Sequence, residues 1–215
     1  PMKNQIPQIT IGVDLGDTKH RYHVLDQAGN EVRRGSILNN KGQLSRLARE
    51  YPGARVAIEV GTHSPWISRH LAWLGCEVFV ANARKLRAIY ENERKSDELD
   101  ARMLARIARL DPALLHPVTH VSEQAMTDRL ALSGREQLVT ARQRLIQSVR
   151  SSVKSLGHRI ASCSPGRFPA AAREELGAHE DVMAAVEPML TAIAGLGASI
   201  RELDERIDQL GTESS

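Results

Sequence analysis

Residues 9 to 15, ITIGVDL, form an apolar run that ends at Gly16-Asp17, the pattern of a buried strand entering a turn. His20 to Leu25 alternates, Ala28-Gly29-Asn30 supplies a turn, and Glu31 to Leu38 alternates again. These runs predict three consecutive strands in an antiparallel meander. Leu44, Leu47 and Ala48 then mark a short helical face, and Arg55 to Val60 reads as a buried strand. A helix over Ser64 to Leu74 follows, with Ser64 at the N-cap and Pro65 in the first turn, and Cys76 to Val80 is a further strand. After Asn82 the chain turns helical around Lys85 to Tyr90 and again from Ser96 to Leu110, until Asp111-Pro112 and His116-Pro117 interrupt it.

Beyond Ser122 no strand pattern returns. Leu132, Val139, Ile146, Val153 and Ile160 repeat every seven residues, with Val149 and Leu156 in the other seam position. Ser162 to Pro169 is a break, after which Val182, Val186, Met189, Ile193, Leu196, Ile200, Leu203, Ile207 and Leu210 keep a 4-3-4-3 spacing. At about 1.5 Å per residue the first arm reaches roughly 55 to 60 Å, so an antiparallel coiled-coil hairpin is the economical arrangement. Pro188 argues for a start or kink within the second arm. The fold class is therefore α/β: a mixed sheet in the order β-β-β-α-β-α-β, the arrangement of ribonuclease-H-like (RuvC-like) domains, followed by a long helical hairpin. The same order serves other mixed sheets. The boundary falls between residues 1–121 and 122–215.

Composition narrows the class. Aromatic residues are 3% of the 215, which disfavours an all-β sandwich or barrel, while 26% charged and 41% hydrophobic residues are the balance of a globular chain. No contiguous apolar stretch approaches the roughly 20 residues that span a bilayer, so no membrane partner is expected. Cys76 and Cys163 lack metal-ligand spacing, and no signal peptide is present, which makes a reducing cytoplasm the expected location. The net charge of +3 hides segregation. Arg129 to Arg159 holds seven basic residues against one acidic, and Glu174 to Glu213 holds ten acidic against two basic. Either the basic arm, with Arg142 and Arg150, meets nucleic acid, or the two arms neutralise each other.

Four acids stand at strand ends or a helix start. Asp14 lies in IGVDLGD, Glu59 ends VAIEVG, and Asp97 and Asp100 lie three apart in KSDELDAR, on one face of a helical first turn. Mg2+, or Mn2+ in its place, prefers such carboxylate oxygens, and phosphodiester chemistry uses bound cations to activate the attacking oxygen and stabilise the leaving one. An acid inside an apolar strand is costly unless it meets a metal or a donor, which singles out Asp14 and Glu59. Asp17 also reads as a turn residue, and Asp97 as a charge favoured by the helix dipole. Arg84, Lys85, Arg87, Arg94 and Lys95, just upstream of Asp97, are the stronger candidates for nucleic-acid contacts.

GVDLG followed by IEVGTHSPW, then NARKLRAIYENERKSDELDARMLARIA and the helical arms, resembles the amino-terminal half of the DEDD-type insertion-sequence transposases, the family of the Piv pilin-gene invertase and the bridge-RNA-guided recombinases. The spacing Asp-x-x-Asp-Ala is the most specific piece, and the likeness runs along essentially the whole chain. The resemblance implies a RuvC-like fold whose metal-binding, catalytic acids are Asp14, Glu59, Asp97 and Asp100. It further implies Mg2+-dependent DNA cleavage and exchange, guidance by a structured RNA in many members, and dimers or tetramers formed through the arms. Family members carry Asn-Pro where this chain has Asn82-Ala83, a departure that touches a turn and not the acids. The family's serine nucleophile lies in a later domain, and no serine here sits in a matching motif, so residues 1–215 are expected to be an amino-terminal fragment, inactive in recombination alone.

Other readings stay open. The chain could be mainly an RNA-binding and dimerisation module, or a junction-resolving nuclease that uses metal-activated water. Val13 to Thr18 also resembles the first phosphate loop of actin-like and sugar-kinase ATPases, which would require a second copy of the fold. His63 reads as a turn or core residue that could assist the acids. Pro117 denies His116 and His120 a helical metal spacing, and Trp66 and Trp73 are expected to pack on the sheet.

Overall fold

The computed structural model describes residues 7–82, 84–85 and 97–213, with the backbone alone at 97–99 and 211–213. Two compact units divide the chain, Pro1–Val121 and Ser122–Ser215.

In the first unit five strands, β1 (Ile9–Asp14), β2 (Lys19–Asp26), β3 (Glu31–Leu38), β4 (Arg55–Glu59) and β5 (Glu77–Ala81), form one sheet in the order β3-β2-β1-β4-β5. β1 pairs antiparallel with β2 and parallel with β4, and β4 pairs parallel with β5, so the architecture is α/β with a mixed sheet. Alternation sets its two faces. Ile11, Val13, Tyr22, Val24, Val56 and Ile58 point to a core closed by α1 (Lys41–Glu50) and α2 (Ser64–Trp73). Ala57 and Ala81 point the other way, against Leu104, Ile107 and Ala108 of α3 (Asp97–Leu110) and Leu115 of the 3-10 turn Pro112–Leu115.

Two expectations for α2 are corrected. Its N-cap is His63, and Ser64 occupies the first helical position ahead of Pro65. The Ser64 hydroxyl instead closes the preceding turn, accepting from Gly61 N–H at 3.0 Å and donating to Gly61 O at 2.8 Å. Trp66 packs on the core as expected, but Trp73 is 79% exposed and stacks on His70 with ring centroids 6.1 Å apart. Seven residues are nearly two helical turns, so the two rings share a side of α2, but Trp73 is the last residue of the helix.

The second unit contains α4 (Glu123–Ser155), α5 (Phe168–Leu176) and α6 (Glu180–Glu213). α4 and α6 lie antiparallel: Gly134 faces Leu203, Arg135 pairs with Asp204, and Arg142 approaches Gly197. At the other end Ile146, Val149 and Val153 share a core with Val186, Leu190 and Ile193. α6 runs as one helix from Glu180 through Pro188, so the expected start there is not found. The seam of α4 also differs from the seven-residue pattern. Leu132 and Leu156 are exposed, whereas Ala131 is buried and Leu138 is half-buried. A straight helix drifts about 20° per heptad, so the inward row shifts by one residue along its length. α4 ends at Leu156, before Gly157 with φ 89°, and Ile160 enters the core from outside the helix. At the end of the expected break and beyond it, where no element was expected before Val182, the chain forms α5, whose Phe168, Ala172 and Leu176 are fully buried. By length and composition alone, Glu180–Leu210 contains an 18-residue window, of mean hydropathy 1.5, apolar enough to cross a membrane. Counting contiguous apolar residues misses this because Glu187, Pro188, Thr191 and Ser199 interrupt the run.

Candidate functional site

The acids are placed by strand register. Thr10 to Val13 pair in parallel with Arg55 to Ile58, so Asp14 and Glu59, one step further on, close neighbouring strands at the same edge of the sheet. Both are half-buried. By alternation they share the face of Gly12 and Ala57, the face that α3 covers.

Gly12 allows α3 to come close. A methyl group at Gly12 would lie 2.0 Å from Ala101 O and 2.5 Å from Ala105 N, so no other residue leaves room for this helix backbone. Two further contacts fix the direction of α3. Arg55, at the start of β4, donates from Nη1 to Ala108 O at 2.9 Å and from Nε to Glu77 Oε2 at 2.7 Å. Arg109 donates to Gln27 O, beside the β2–β3 turn, at 3.1 Å. The carboxyl-terminal end of α3 therefore lies where β1 and β4 begin. Its first turn, with Asp97 and Asp100, lies where they end in Asp14 and Glu59. The positive end of a helix dipole favours carboxylates and phosphates at such a place.

The fold thus brings the backbones of all four predicted acids to one edge, with Asp100 half-buried and the Asp97 side chain outside the described residues. Among the described residues no three carboxylate, histidine or cysteine side chains meet as a preformed metal cluster. The donor chemistry of the four fits a hard cation such as Mg2+, being oxygen only.

The loops at this edge are tied to one another. His63 Nε2 lies 3.0 Å from Asp17 Oδ1, and Asn39 Nδ2 donates to Asp17 O at 2.8 Å. Trp66 Nε1 donates to His63 Nδ1 at 3.5 Å, which leaves Nε2 as the protonated nitrogen facing Asp17. His20 is fully buried, with no well-formed hydrogen bond to either ring nitrogen among the described residues, and burial holds its pKa below the usual histidine value against the opposing influence of nearby Asn39 and Gly16. Ser64 Oγ lies 2.9 Å from His120 Nε2, and since its hydroxyl already donates to Gly61 O, the imidazole is the donor. Burial, with a smaller contribution from Arg69, holds His120 low as well.

The basic candidates separate. Arg84 and Lys85 are exposed just after β5, where their N–H groups share Asn82 Oδ1 as acceptor; Arg87, Arg94 and Lys95 lie outside the described residues. Arg150 donates to Ile160 O and Ala161 O, both at 3.1 Å, and lies over the Phe168 ring at 5.1 Å, so it serves the core of the helical unit. Arg142 is half-buried, and its Nε has no hydrogen-bond partner among the described residues. Arg21, which sequence reasoning missed, is the β2 partner of Asp14 and emerges on the same face. Its signal was the alternation of β2, legible once the β1–β2 register is known.

Residues 11–157, more than half of the chain and including all four acids, match the family model of DEDD-type transposases of the insertion sequence IS110, described as a transposase. No curated protein matches the sequence.

Proposed function

The chain belongs to the DEDD-type IS110 transposase family, a family of DNA-recombining enzymes, and on that premise we propose that its first unit is a ribonuclease-H-like metal-dependent domain acting on DNA strands. The observation that carries this reading is the convergence of Asp14 and Glu59, closing adjacent parallel strands, with the first turn of α3 at one edge of the sheet. Asp14, Glu59, Asp97 and Asp100 would hold Mg2+, with Mn2+ able to substitute. When bound, such an ion supplies charge neutralisation at a scissile phosphate. The chain's own part is to fix the carboxylates: register sets Asp14 beside Glu59, and the seat at Gly12 sets α3 against both. The Asp17–His63 pair joins the β1–β2 and β4–α2 loops that follow the two strands ending in the acids. No serine of residues 1–215 is assigned the nucleophile's part.

The proposal extends to partners. Arg84 and Lys85, exposed beside β5, serve as phosphate contacts for DNA or a structured guide RNA, and α4 with α6 acts as a coiled-coil arm for self-association into dimers or tetramers. The free thiols Cys76 and Cys163 suit a reducing cytoplasm. Calorimetric titration with Mg2+ and Mn2+ tests the site. Binding to the wild-type chain that is lost in Asp14→Ala and in Asp97→Ala supports the assignment; no binding, or binding unchanged in both variants, sinks it.

A further inference from the structure

Four arginines outside the acid edge stand on one continuous face of the first unit. Arg21 and His23 on β2 pair with Ser36 and Arg34 on β3, so alternation puts Arg21 and Arg34 on the face that α3 covers. Arg102 and Arg106 are one helical turn apart on α3, about 6 Å along its axis. They lie on the β2 side of that helix, because Arg109, in the same stripe, reaches the carbonyl of Gln27 and packs against Gly29 in the β2–β3 turn. His23 reports the same neighbourhood. Burial chiefly lowers its pKa, Glu31 opposes this, and Arg102, Arg34 and Arg106 lower it further. All four arginines are exposed. Besides the edge acids Asp14 and Glu59, this face carries Glu31, 3.5 Å from Arg34 and 3.4 Å from His23, and among the described residues Arg102 and Arg106 have no acidic partner.

The face begins at the acids. Arg21 is the cross-strand partner of Asp14, and Arg102 follows Asp100 by two residues. A row of guanidinium groups on a strand pair and a helix is rigid, and guanidinium matches phosphate oxygens in a planar, two-pronged way. We propose that Arg21, Arg34, Arg102 and Arg106 form a track for the sugar-phosphate backbone of DNA, leading away from the acid edge over α3 and β2. The choice of DNA rests on the metal-site reading: a strand whose scissile phosphate lies at Asp14 and Glu59 continues past the residues next to them, and those are Arg21 and Arg102. The track reads no bases, because it is built of phosphate-binding groups alone.

The test is fluorescence anisotropy of a labelled DNA duplex and an RNA duplex of the same sequence, with chelator present, across roughly 50 to 200 mM salt. The proteins are the wild-type chain, Arg102→Gln/Arg106→Gln, and Arg144→Gln on α4 as an exposed basic control. The double variant is expected to bind DNA more weakly and to lose about 2 from the slope of log affinity against log salt, so a fourfold rise in salt costs it about tenfold less affinity than wild type. Unchanged DNA affinity and slope, an equal loss in Arg144→Gln, or a loss confined to RNA overturns the track. Both substituted side chains are exposed, and an unchanged melting temperature confirms that the fold is intact. Mn2+ calorimetry on the same double variant separates the two readings. Metal binding retained with DNA binding lost supports the track alone, whereas metal binding absent from wild type with the DNA loss still present removes the acid assignment and leaves the track standing.

Discussion

The two units of the chain use charge in opposite ways. In the helical unit several arginines are engaged within the unit: Arg135 bonds Asp204 at 2.7 Å, Arg173 bonds Glu187, and Arg150 satisfies two carbonyls while covering Phe168, though Arg144 stays exposed. In the sheet unit Arg21, Arg34, Arg102 and Arg106 stand exposed in a row that starts beside Asp14. A basic residue in the sequence is therefore a poor guide to a basic surface. The most basic stretch of the chain, Arg129 to Arg159, contributes in part to its own fold, and the less conspicuous arginines of β2, β3 and α3 make the open face.

The two units also pack by different means, and substitutions should separate them. The helical unit closes on large side chains, so Phe168→Ala should cost about 3 to 5 kcal/mol and lower amide-exchange protection in α4, α5 and α6, with β1 to β5 retaining theirs. Protection lost evenly across both units would show that they unfold as one. The sheet unit closes α3 by backbone contact at Gly12. Gly12→Ala should cost about 1 to 3 kcal/mol by overpacking, at the upper end because the groups it meets are main chain. Chemical denaturation measures the loss, and Mn2+ affinity should fall with it as Asp97 and Asp100 move off Asp14. Wild-type stability in the Gly12→Ala variant would contradict the seating of α3.

Acid should act on the sheet unit first. His20, His23 and His120 all have folded-state pKa values lowered mainly by burial, so the unfolded chain binds their protons more readily. Their contribution is fully present above about pH 6.5 and is lost as pH falls from there through the folded values, with a slope of at most about 1.4 kcal/mol per pH unit for each histidine. Denaturation midpoints followed from pH 7.5 to 5 by a probe in the sheet unit should fall. Replacing His20 with Gln should flatten the curve, and a curve that keeps its slope in that variant would remove His20 from this role.

How much of this was legible differs between the units for physical reasons. The strands and α3 were readable because alternation and the 3.6-residue period each produce a local pattern: Ile9 to Asp14, Glu31 to Leu38 and Asp97 to Leu110 lie within a residue or two of the expected bounds. The order of acids was also readable, since Asp14 and Glu59 interrupt apolar runs. What sequence could not supply was register and direction. That Asp14 neighbours Glu59 and Arg21 follows from pairing across strands, and the path of α3 back along β1 follows from Gly12, whose need for a bare backbone appears only once Ala101 is above it. In the helical unit the seven-residue repeat located the arms yet misassigned Leu132, and α5 escaped because nine residues give a helix period little room to show.

The proposed cation site lies at the acids that end β1 and β4 and start α3, and the longer acidic stretch of α6 is the alternative place for a divalent ion. Paramagnetic broadening of assigned amide signals on titration with Mn2+ distinguishes them directly, because the effect is confined to the neighbourhood of the ion. Broadening centred on Asp14, Glu59 and the first turn of α3, and reversed by excess Mg2+, is the result predicted; broadening centred on Glu202, Asp204, Glu205 and Asp208, or spread without a centre, would contradict it.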